Sequence, residues 1–320
     1  MTMKDLAKLA DVSVSTVSKA FSQAEDINEA TKQHIFKIAK QTGCYTKFYK
    51  GKYYKKIIAV IVPEIVSDYY KMFLNNIRIL IESSDGIMLI STDDFSDYKQ
   101  LELIDYFSCY LKVDGILVFS LKNPLKKAYD TPIVSLLSSA DQKVDSVVDD
   151  YTLAMQNAVD LLNRYGHKNI AFLSEELTKR KATLFEQISL EKGLFNIKVF
   201  ESDKRFEEAG KDCADKLINS YPECTAIICA YDNIAIGAIK QLKKHGYKIP
   251  DDISVIGMDN ITVGEHTETS LTTIDSNPKK VCEIAWDLMQ KKLKNPYFKN
   301  NEHIKISSTL IIRESVRNIK

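Results

Sequence analysis

Through the first 42 residues, apolar positions recur every three or four residues, the spacing of one face of an α-helix. The pattern predicts three short helices, over residues 3–10, over residues 14–22, and from a cap at Asn28 to about residue 41. The side chains predicted to face inward are Leu6, Ala7, Ala10, Val17, Ala20, Phe21, Ile35, Ile38 and Ala39. The chain therefore opens with a small all-α head.

Capping residues stand where each of these helices is predicted to begin. Thr2 and Asp5 have the spacing of a capping box, Ser13 precedes the second helix, and Asn28 precedes the third. Asp11 falls at the turn between the first two helices, and Asp tolerates the left-handed backbone conformation that a tight turn needs. Two short helices joined by a tight turn and braced by a third form a helix-turn-helix unit.

From residue 57 the pattern changes to short apolar runs that alternate with helical stretches. Amphipathic helices are predicted at 97–111, 151–165 and 234–245. The predicted strands are 57–62, 87–90, 115–119 and 132–136, then 170–173, 197–200, 226–229 and 254–257. Two successive groups of strands between helices predict an α/β core of two similar lobes, with parallel sheets flanked by helices. No glycine-rich phosphate loop follows any of these strands, which counts against a nucleotide enzyme.

The second helix of the head has the composition of a DNA-reading helix. In a helix-turn-helix its N-terminal end enters the major groove, and short hydroxyl side chains there allow close approach to the duplex and hydrogen bonds to it. Lys19 is long enough to reach a guanine edge. The predicted DNA-binding residues are Thr2, Ser13, Val14, Ser15, Thr16, Ser18, Lys19, Ser22 and Thr31. The alternative is a small surface helix with incidental serines.

Charge separates the head from the rest of the chain. Residues 1–56 carry 11 lysines and 5 acidic residues, a net charge of +6, whereas the remainder carries −5. A basic head on an acidic body indicates that only the head meets a polyanion. Hydrophobic residues make up 45% of the chain, enough for packed domains. The six cysteines have no metal or redox spacing, which predicts free buried thiols and no cofactor.

Residues 3–43, MKDLAKLADVSVSTVSKAFSQAEDINEATKQHIFKIAKQTG, closely resemble the DNA-binding head of the lactose/galactose repressor (LacI–GalR) family. Two positions depart from that family's usual signature. Asp11 stands where the family prefers Gly, and Lys19 stands where it usually has Arg. Since Lys makes a less directional contact than Arg, the departure bears on base preference at that position. The resemblance sets a helix-turn-helix DNA-binding domain at residues 1–43.

The linker over residues 44–56, CYTKFYKGKYYKK, departs from the resemblance. The family typically has a hinge helix here, with a leucine that wedges into the minor groove and kinks the DNA. This segment is rich in lysine and aromatic residues instead, and Gly51 disfavours a helix. One hypothesis is a basic arm that tracks phosphates and inserts an aromatic side chain, formed by Lys47, Phe48, Tyr49, Lys50 and Lys52. The alternative is a flexible linker without base contacts.

The body resembles the same family, whose core is like a periplasmic sugar-binding protein. The matching runs are IAVIVPEI, KVDGILVF, YGHKNIAFL, YDNIAIGAIKQLKKHGYKIPDDISVIGMDN, LTTID and LIIRESV. The resemblance implies an effector-binding and dimerisation core over residues 57–320, in which the chain crosses three times between lobes. One lobe would comprise about 57–148 and 276–303, and the other about 149–275 and 304–320.

Ligands of such folds bind at the carboxyl ends of strands, between the lobes. The positions that match effector contacts in the family are Tyr69, Tyr70, Ser120, Lys181, Arg205, Tyr231, Asp232 and Asp259. For four of these residues a role without ligand contact is the alternative: lobe packing for Tyr69 and Tyr70, a helix cap for Asp232, and a solvated charge for Lys181. Lys181 and Arg205 would make the cleft more cationic, so one hypothesis is an acidic effector, such as a sugar phosphate or a uronic acid derivative.

These features together predict a cytoplasmic, sequence-specific transcriptional regulator, a repressor by resemblance. The expected partners are a near-palindromic double-stranded DNA operator, a second copy of the chain and a small carbohydrate-like effector, with no membrane span. A small-molecule carrier with a vestigial head is the second hypothesis. An enzyme is the third, with Asp232 and Asp259 as paired carboxylates and His167 or His266 as a base, but no nucleophile, metal set or phosphate loop supports it, so we predict no enzymatic activity.

Overall fold

The computed structural model describes residues 1–22, 24, 26–48, 55–295 and 301–320, with the backbone alone at Thr46. The described part of residues 1–56 forms one compact unit, the head, and nearly all of the remaining chain forms a second, the core. No helix among the described residues is long and apolar enough to cross a membrane.

The described part of the head forms four helices, α1 (Met3–Leu9), α2 (Val14–Ser22), α3 (Glu29–Gln41) and α4 (Tyr45–Phe48). The predicted caps are present. Thr2 and Asp5 form a capping box, and the Asn28 side chain accepts from the Ala30 amide, 2.8 Å away. Asp11 has a φ of 52°, the left-handed conformation expected at the turn. The sequence pattern therefore placed the first three helices within one residue of their ends.

The fourth helix was not predicted, and it changes the interpretation of the linker. Its Tyr45 and Phe48 rings pack on Phe21, with centroid distances of 5.9 and 5.8 Å, and Tyr45 also meets Phe36 edge-on at 5.2 Å. Phe48 is only 8% exposed. The prediction that Phe48 belongs to a free arm is corrected, because its side chain completes the apolar core of the head.

Twelve strands are present among the described residues of the core. They are β1 (Lys56–Val62), β2 (Gly86–Thr92), β3 (Gly115–Leu121), β4 (Ile133–Ser139), β5 (Asp145–Asp150), β6 (Ile170–Glu175), β7 (Ile197–Ser202), β8 (Ala226–Cys229), β9 (Ser254–Met258), β10 (Thr272–Asp275), β11 (His303–Ser307) and β12 (Thr309–Ile311). They form two six-stranded sheets, ordered β11-β5-β4-β3-β1-β2 in lobe 1 and β12-β10-β9-β8-β6-β7 in lobe 2.

Helices cover these sheets. They are α5 (Asp68–Ser83), α6 (Asp97–Asp105), α7 (Thr152–Arg164), α8 (Lys179–Glu191), α9 (Phe206–Ser220), α10 (Asp232–Lys244), α11 (Thr262–Glu265) and α12 (Pro278–Lys294), with a π-helix at Tyr106–Leu111 and a 3₁₀ turn at Glu176–Thr178. Alternate residues of β1 face opposite sides. Ile58 and Val60 pack towards α5 and α12, and Ala59 and Ile61 pack towards α6. Burial on both faces explains why β1 is a continuous apolar run.

All eight predicted strands are present, and the sheets extend beyond them. Strands β5, β10, β11 and β12 were not predicted. The lobe boundaries also shift, since β5 continues to Asp150 in lobe 1 and β11 keeps residues 304–307 in the same lobe. The chain thus crosses between lobes near residues 151, 276 and 308, the last crossing a few residues later than predicted.

Candidate DNA-reading surface and ligand cleft

Hydroxyl groups gather at the N-terminal end of α2. The Thr16 amide donates to Ser13 Oγ at 3.1 Å, which caps the helix, and Ser13 Oγ also lies 2.7 Å from Ser15 Oγ. Val14, Ser15 and Ser18 are exposed beside them, while Val17 is fully buried. The face opposite the head core therefore presents short side chains, which suits close approach to a duplex.

Lys19 on the same face is held by a partner that the sequence reasoning did not consider. Its ammonium group forms an ion pair with the Asp26 carboxylate, and both side chains remain about half exposed or more. The hydrogen bond from Lys19 lowers the pKa of Asp26. An exposed pair of this kind is weak, so a phosphate or a base edge can replace Asp26 at small cost.

The other predicted DNA-binding residues occupy the surroundings of α2. Thr2 is exposed at the start of α1, where its hydroxyl serves the capping box. Ser22 donates to the Lys19 carbonyl at 3.3 Å, and Thr31 is half-buried in the first turn of α3. Lys47 of the predicted arm donates to the Met1 carbonyl at 3.1 Å. Tyr49, Lys50 and Lys52 lie outside the described residues.

A cleft of about 470 Å³ lies between the two lobes of the core. Among the residues that line it are seven of the eight predicted for effector contact: Tyr69, Tyr70, Ser120, Lys181, Arg205, Tyr231 and Asp259. Ser120 lies near the end of β3, and the others come from loops and helix starts that follow strands of both sheets. This is the position expected for a ligand in parallel α/β folds.

Asp259 is the most constrained of these residues. It directly follows β9 and has a φ of 107°, a conformation that L-residues rarely adopt. Its carboxylate is buried, which raises its pKa, and the Lys181 ammonium group, 3.8 Å away, opposes the rise. Lys181 also donates to the Ala230 carbonyl at 2.7 Å and lies over the Tyr151 ring. A buried acceptor beside a fixed donor suits adjacent ligand hydroxyls.

Asp232 does not line the cleft. Its carboxylate is fully buried and accepts from the Ile261 amide at 2.9 Å and from Thr273 Oγ1 at 2.6 Å. Burial raises the pKa of Asp232 to about 7, and these hydrogen bonds oppose the rise. The predicted ligand contact is therefore corrected: Asp232 braces the strained loop that carries Asp259.

Tyr69 and Tyr70 join the cleft to the core of lobe 1. The Tyr69 ring meets Phe73 edge-on at 5.0 Å, and the Tyr70 ring meets Phe119 at 5.9 Å. Burial raises the pKa of the Tyr69 hydroxyl well above its ordinary value. Both proposed roles, lobe packing and ligand contact, are compatible with this placement.

Arg205 is not a free cation. Its guanidinium group donates to both carboxylate oxygens of Glu64, at 2.7 and 2.8 Å. Acidic and basic groups are also balanced in the cleft: the acidic lining residues are Glu64, Asp149, Glu175 and Asp259, and the basic ones are Lys122, Arg180, Lys181 and Arg205. The expectation of a cationic cleft, and with it the argument for an acidic effector, is corrected.

Several lining residues were missed by the sequence reasoning, among them Glu64, Phe95, Asp149, Glu175 and Phe206. Each lies at, or within four residues after, the carboxyl end of a strand. That position was a usable signal, because the ends of parallel strands converge on the ligand site. The described residues hold no cluster of His, Cys, Asp and Glu side chains that could bind a metal ion.

Two family models match the chain. Residues 159–316 match the periplasmic binding protein-like domain, and residues 2–46 match the bacterial regulatory proteins of the lacI family. The chain thus carries a lacI-family DNA-binding domain and a periplasmic binding protein-like domain. Both halves of the lacI-family architecture, a helix-turn-helix head and a two-lobed core, are therefore present in one chain, as the sequence predicted.

Relatives and solved structures resemble the chain over most of its length. The HTH-type transcriptional repressor PurR of Histophilus somni (strain 129Pt) is 28% identical, with 99% of each chain covered. The crystal structure of a LacI-family transcriptional regulator from Silicibacter pomeroyi, 18% identical, matches with a TM-score of 0.76 over 99% of both chains. A LacI-family regulator from Enterococcus faecium with bound ribose, 21% identical, matches with a TM-score of 0.72 over 83% of this chain and all of that one.

Proposed function

We propose that this protein is a sequence-specific transcriptional repressor that acts as a homodimer. A small, neutral carbohydrate-like effector bound between the lobes of its core would control it. The observation that carries the proposal is the joint presence, in one chain, of an exposed hydroxyl-rich α2 end in the head and a polar cleft with a buried carboxylate in the core. A small-molecule carrier would not need the DNA-binding head. A repressor that responds to no effector would not need the ligand cleft.

The head supplies the proposed DNA contacts. Ser15, Ser18 and Lys19 lie on the exposed face of α2, and the net charge of +6 over residues 1–56 favours a polyanion. A single head makes few contacts, so useful affinity requires two linked heads on a near-palindromic operator. The relative PurR of Histophilus somni, a transcriptional repressor, supports the direction of control.

The cleft supports a neutral ligand with several hydroxyl groups. Asp259 offers a buried acceptor, Lys181 a donor, and Tyr69 a hydroxyl beside an aromatic wall. Glu64 occupies the Arg205 guanidinium group, so this arginine is not free to bind an anion. The ribose bound to the Enterococcus faecium relative agrees with this ligand class.

The decisive experiment is selection of bound sequences from a random DNA library by the full-length protein at near-physiological salt. We expect a palindrome of two short half-sites, because each head of a dimer reads one half. Recovery of no motif, with binding that disappears in moderate salt, would contradict the proposal and leave only electrostatic contact.

Matched variants test the proposed reading face. Lys19→Ala should lower affinity for the selected site by roughly tenfold or more and relax the preference at one base pair, as expected for a lost base contact of about 1–3 kcal/mol. Lys211→Ala removes the same charge, likewise from an ion pair, at a partly exposed position of the core and should leave operator affinity unchanged. Equal effects of the two substitutions would contradict base reading by Lys19.

A further inference from the structure

Arg205 connects the two lobes across the cleft. It immediately precedes α9 in lobe 2, whereas its partner Glu64 follows β1 in lobe 1. The two Arg205 Nη atoms each donate to a different Glu64 oxygen, at 2.7 and 2.8 Å. A bidentate pair of this kind fixes distance and orientation together. We call these two residues the cross-lobe pair.

An aromatic ring from each lobe packs against the guanidinium group. The Arg205 Cζ atom lies 5.4 Å from the ring centre of Phe95 in lobe 1 and 4.6 Å from that of Phe206 in lobe 2. Phe95 has a φ of 60° and Phe206 a φ of 55°. Bulky residues rarely adopt this left-handed conformation, and it persists only where the surroundings enforce it. Each lobe therefore holds one strained backbone position beside Arg205.

The cross-lobe pair is also better protected than an ordinary surface ion pair. The Glu64 side chain is 12% exposed and the Arg205 side chain 36%. Arg78 and Glu82 of α5 form a pair with the same 2.7 Å distance, but their side chains are 45% and 54% exposed and both belong to one helix. Lower exposure reduces solvent screening, so the cross-lobe pair stabilises its arrangement more.

We propose that Glu64 and Arg205 are positioning residues of the ligand cleft. Their ion pair, with Phe95 and Phe206 against the guanidinium group, holds the lobes together and sets how readily the cleft opens. A hydrogen bond of 3.3 Å from Asn233 in lobe 2 to Asp68 in lobe 1 is a second, weaker crossing contact. A ligand carboxylate or phosphate that reached Arg205 would have to displace Glu64, so the pair also disfavours anionic ligands.

The test measures lobe separation in the full-length protein without DNA or ligand. Nitroxide labels at Tyr98→Cys on α6 and Asn219→Cys on α9 report one position in each lobe, and both positions are exposed. Cys109→Ser removes the one exposed cysteine among the described residues. Unlabelled chain dilutes the spins, so that double electron–electron resonance reports distances within a single copy.

We expect Glu64→Gln to raise the ratio of open to closed molecules by about two- to fivefold, the range for a partly exposed ion pair. Glu64→Arg should raise it further, because two cations then face each other, and adding Arg205→Glu should restore the parent distribution. Glu82→Gln, which breaks the pair within α5, is the matched control and should leave the distances unchanged.

Two results would overturn the proposal. One is a distance distribution for Glu64→Gln and Glu64→Arg that is the same as that of the parent. The other is a change in Glu64→Arg that Arg205→Glu fails to reverse, since the effect would then not pass through the pair. Because neither DNA nor effector is present, these outcomes are independent of whether the protein represses transcription.

Discussion

His167 lies between α7 and β6 and has hydrogen-bond partners on both sides of its ring. Nδ1 is 2.9 Å from Thr225 Oγ1, and Nε2 is 3.0 Å from the Arg317 carbonyl. Burial lowers the pKa of His167, and the Arg317 charge lowers it further, while the hydrogen bond to the Arg317 carbonyl opposes this. The residue thus ties the last segment of the chain to lobe 2 while it is neutral.

The lowered pKa of His167 gives a pH prediction. The unfolded state takes up a proton at a higher pH than the folded state, so the stability that His167 contributes is present above about pH 6.5 and is lost as the pH falls below it. We expect His167→Gln to lower the free energy of unfolding near pH 8 by about 1 kcal/mol and to flatten its decline towards pH 5. Urea unfolding across this range is the measurement.

Exposed His266 provides the control for that experiment. His266→Gln should leave the pH profile of the parent intact. Asp232 titrates in the opposite sense, because its pKa is raised to about 7 and its neutral form favours the folded state at low pH. The contribution of His167 is therefore measured as the difference between the variant and the parent at each pH. If the free energy of unfolding of His167→Gln falls towards pH 5 as steeply as that of the parent, the prediction is contradicted.

Helices α9 and α10 pack through two glycines. A Cβ added to Gly210 would lie 2.0 Å from the Ile234 carbonyl oxygen, and one added to Gly237 would lie 2.1 Å from the Glu207 carbonyl oxygen. These are backbone atoms, which cannot move aside as a flexible side chain would. The absence of a side chain at both positions lets the two helix backbones touch.

Gly237→Ala should therefore separate the two helices. We expect a loss of about 2 kcal/mol or more in the free energy of unfolding of the core, measured by urea titration, because overpacking against backbone forces a shift of a whole helix. Gly264→Ala is the matched control. Its added Cβ would find its nearest neighbour at 3.5 Å, an ordinary contact, so a change within about 0.5 kcal/mol is expected.

Phe48 packs in the core of the head through α4, so its substitution should affect folding of the head and not only DNA bending. Phe48→Ala removes a buried ring from the small core of the head and should destabilise the head by about 3 kcal/mol. Loss of operator binding should then accompany loss of head helicity, measured by circular dichroism on heating. Leu9→Ala, at a 54% exposed position of α1, is the control. A head that keeps its stability in Phe48→Ala while DNA bending is lost would favour the wedge.

At the level of elements, the sequence identified what local pattern can encode. Short apolar runs such as 57–62 form strands of the two sheets, and all eight predicted strands are present. Strand β5, DSVVDD, was not predicted because acidic residues flank its two valines. Strands β11 and β12 lie at sheet edges and were not predicted because β11 alternates apolar and polar residues and β12 is very short.

The site was predictable to a similar depth. Asp259 and Lys181 were predicted as ligand contacts because the chain resembles a known family at those positions, and both line the cleft. The contact between Glu64 and Arg205 was missed because 141 residues separate the two, and no local pattern indicates a pair that forms only when two lobes meet. The same limit applied to Asp232, whose surroundings decide between ligand contact and structural brace.

For the whole molecule, the cleft predicts stabilisation by ligand. A panel of neutral sugars should contain one that raises the midpoint of thermal unfolding, since a ligand at 100 times its dissociation constant adds about 2.7 kcal/mol. Asp259→Asn should abolish that shift by removing the buried acceptor. Asp203→Asn, at an exposed position outside the cleft, should preserve it. Shifts produced only by acidic sugars would contradict the proposed ligand class.

The three crossings between the lobes have a consequence for the order in which the protein matures on the ribosome. The head is complete once residue 48 has emerged, and its contacts are local, so it can fold early. Lobe 1 still lacks α12 and β11 until residue 307 has been made, and lobe 2 lacks β12 until residue 311. A nascent chain therefore carries its folded head long before either lobe of the core is complete, and a product truncated before residue 307 would keep the head without a finished ligand cleft.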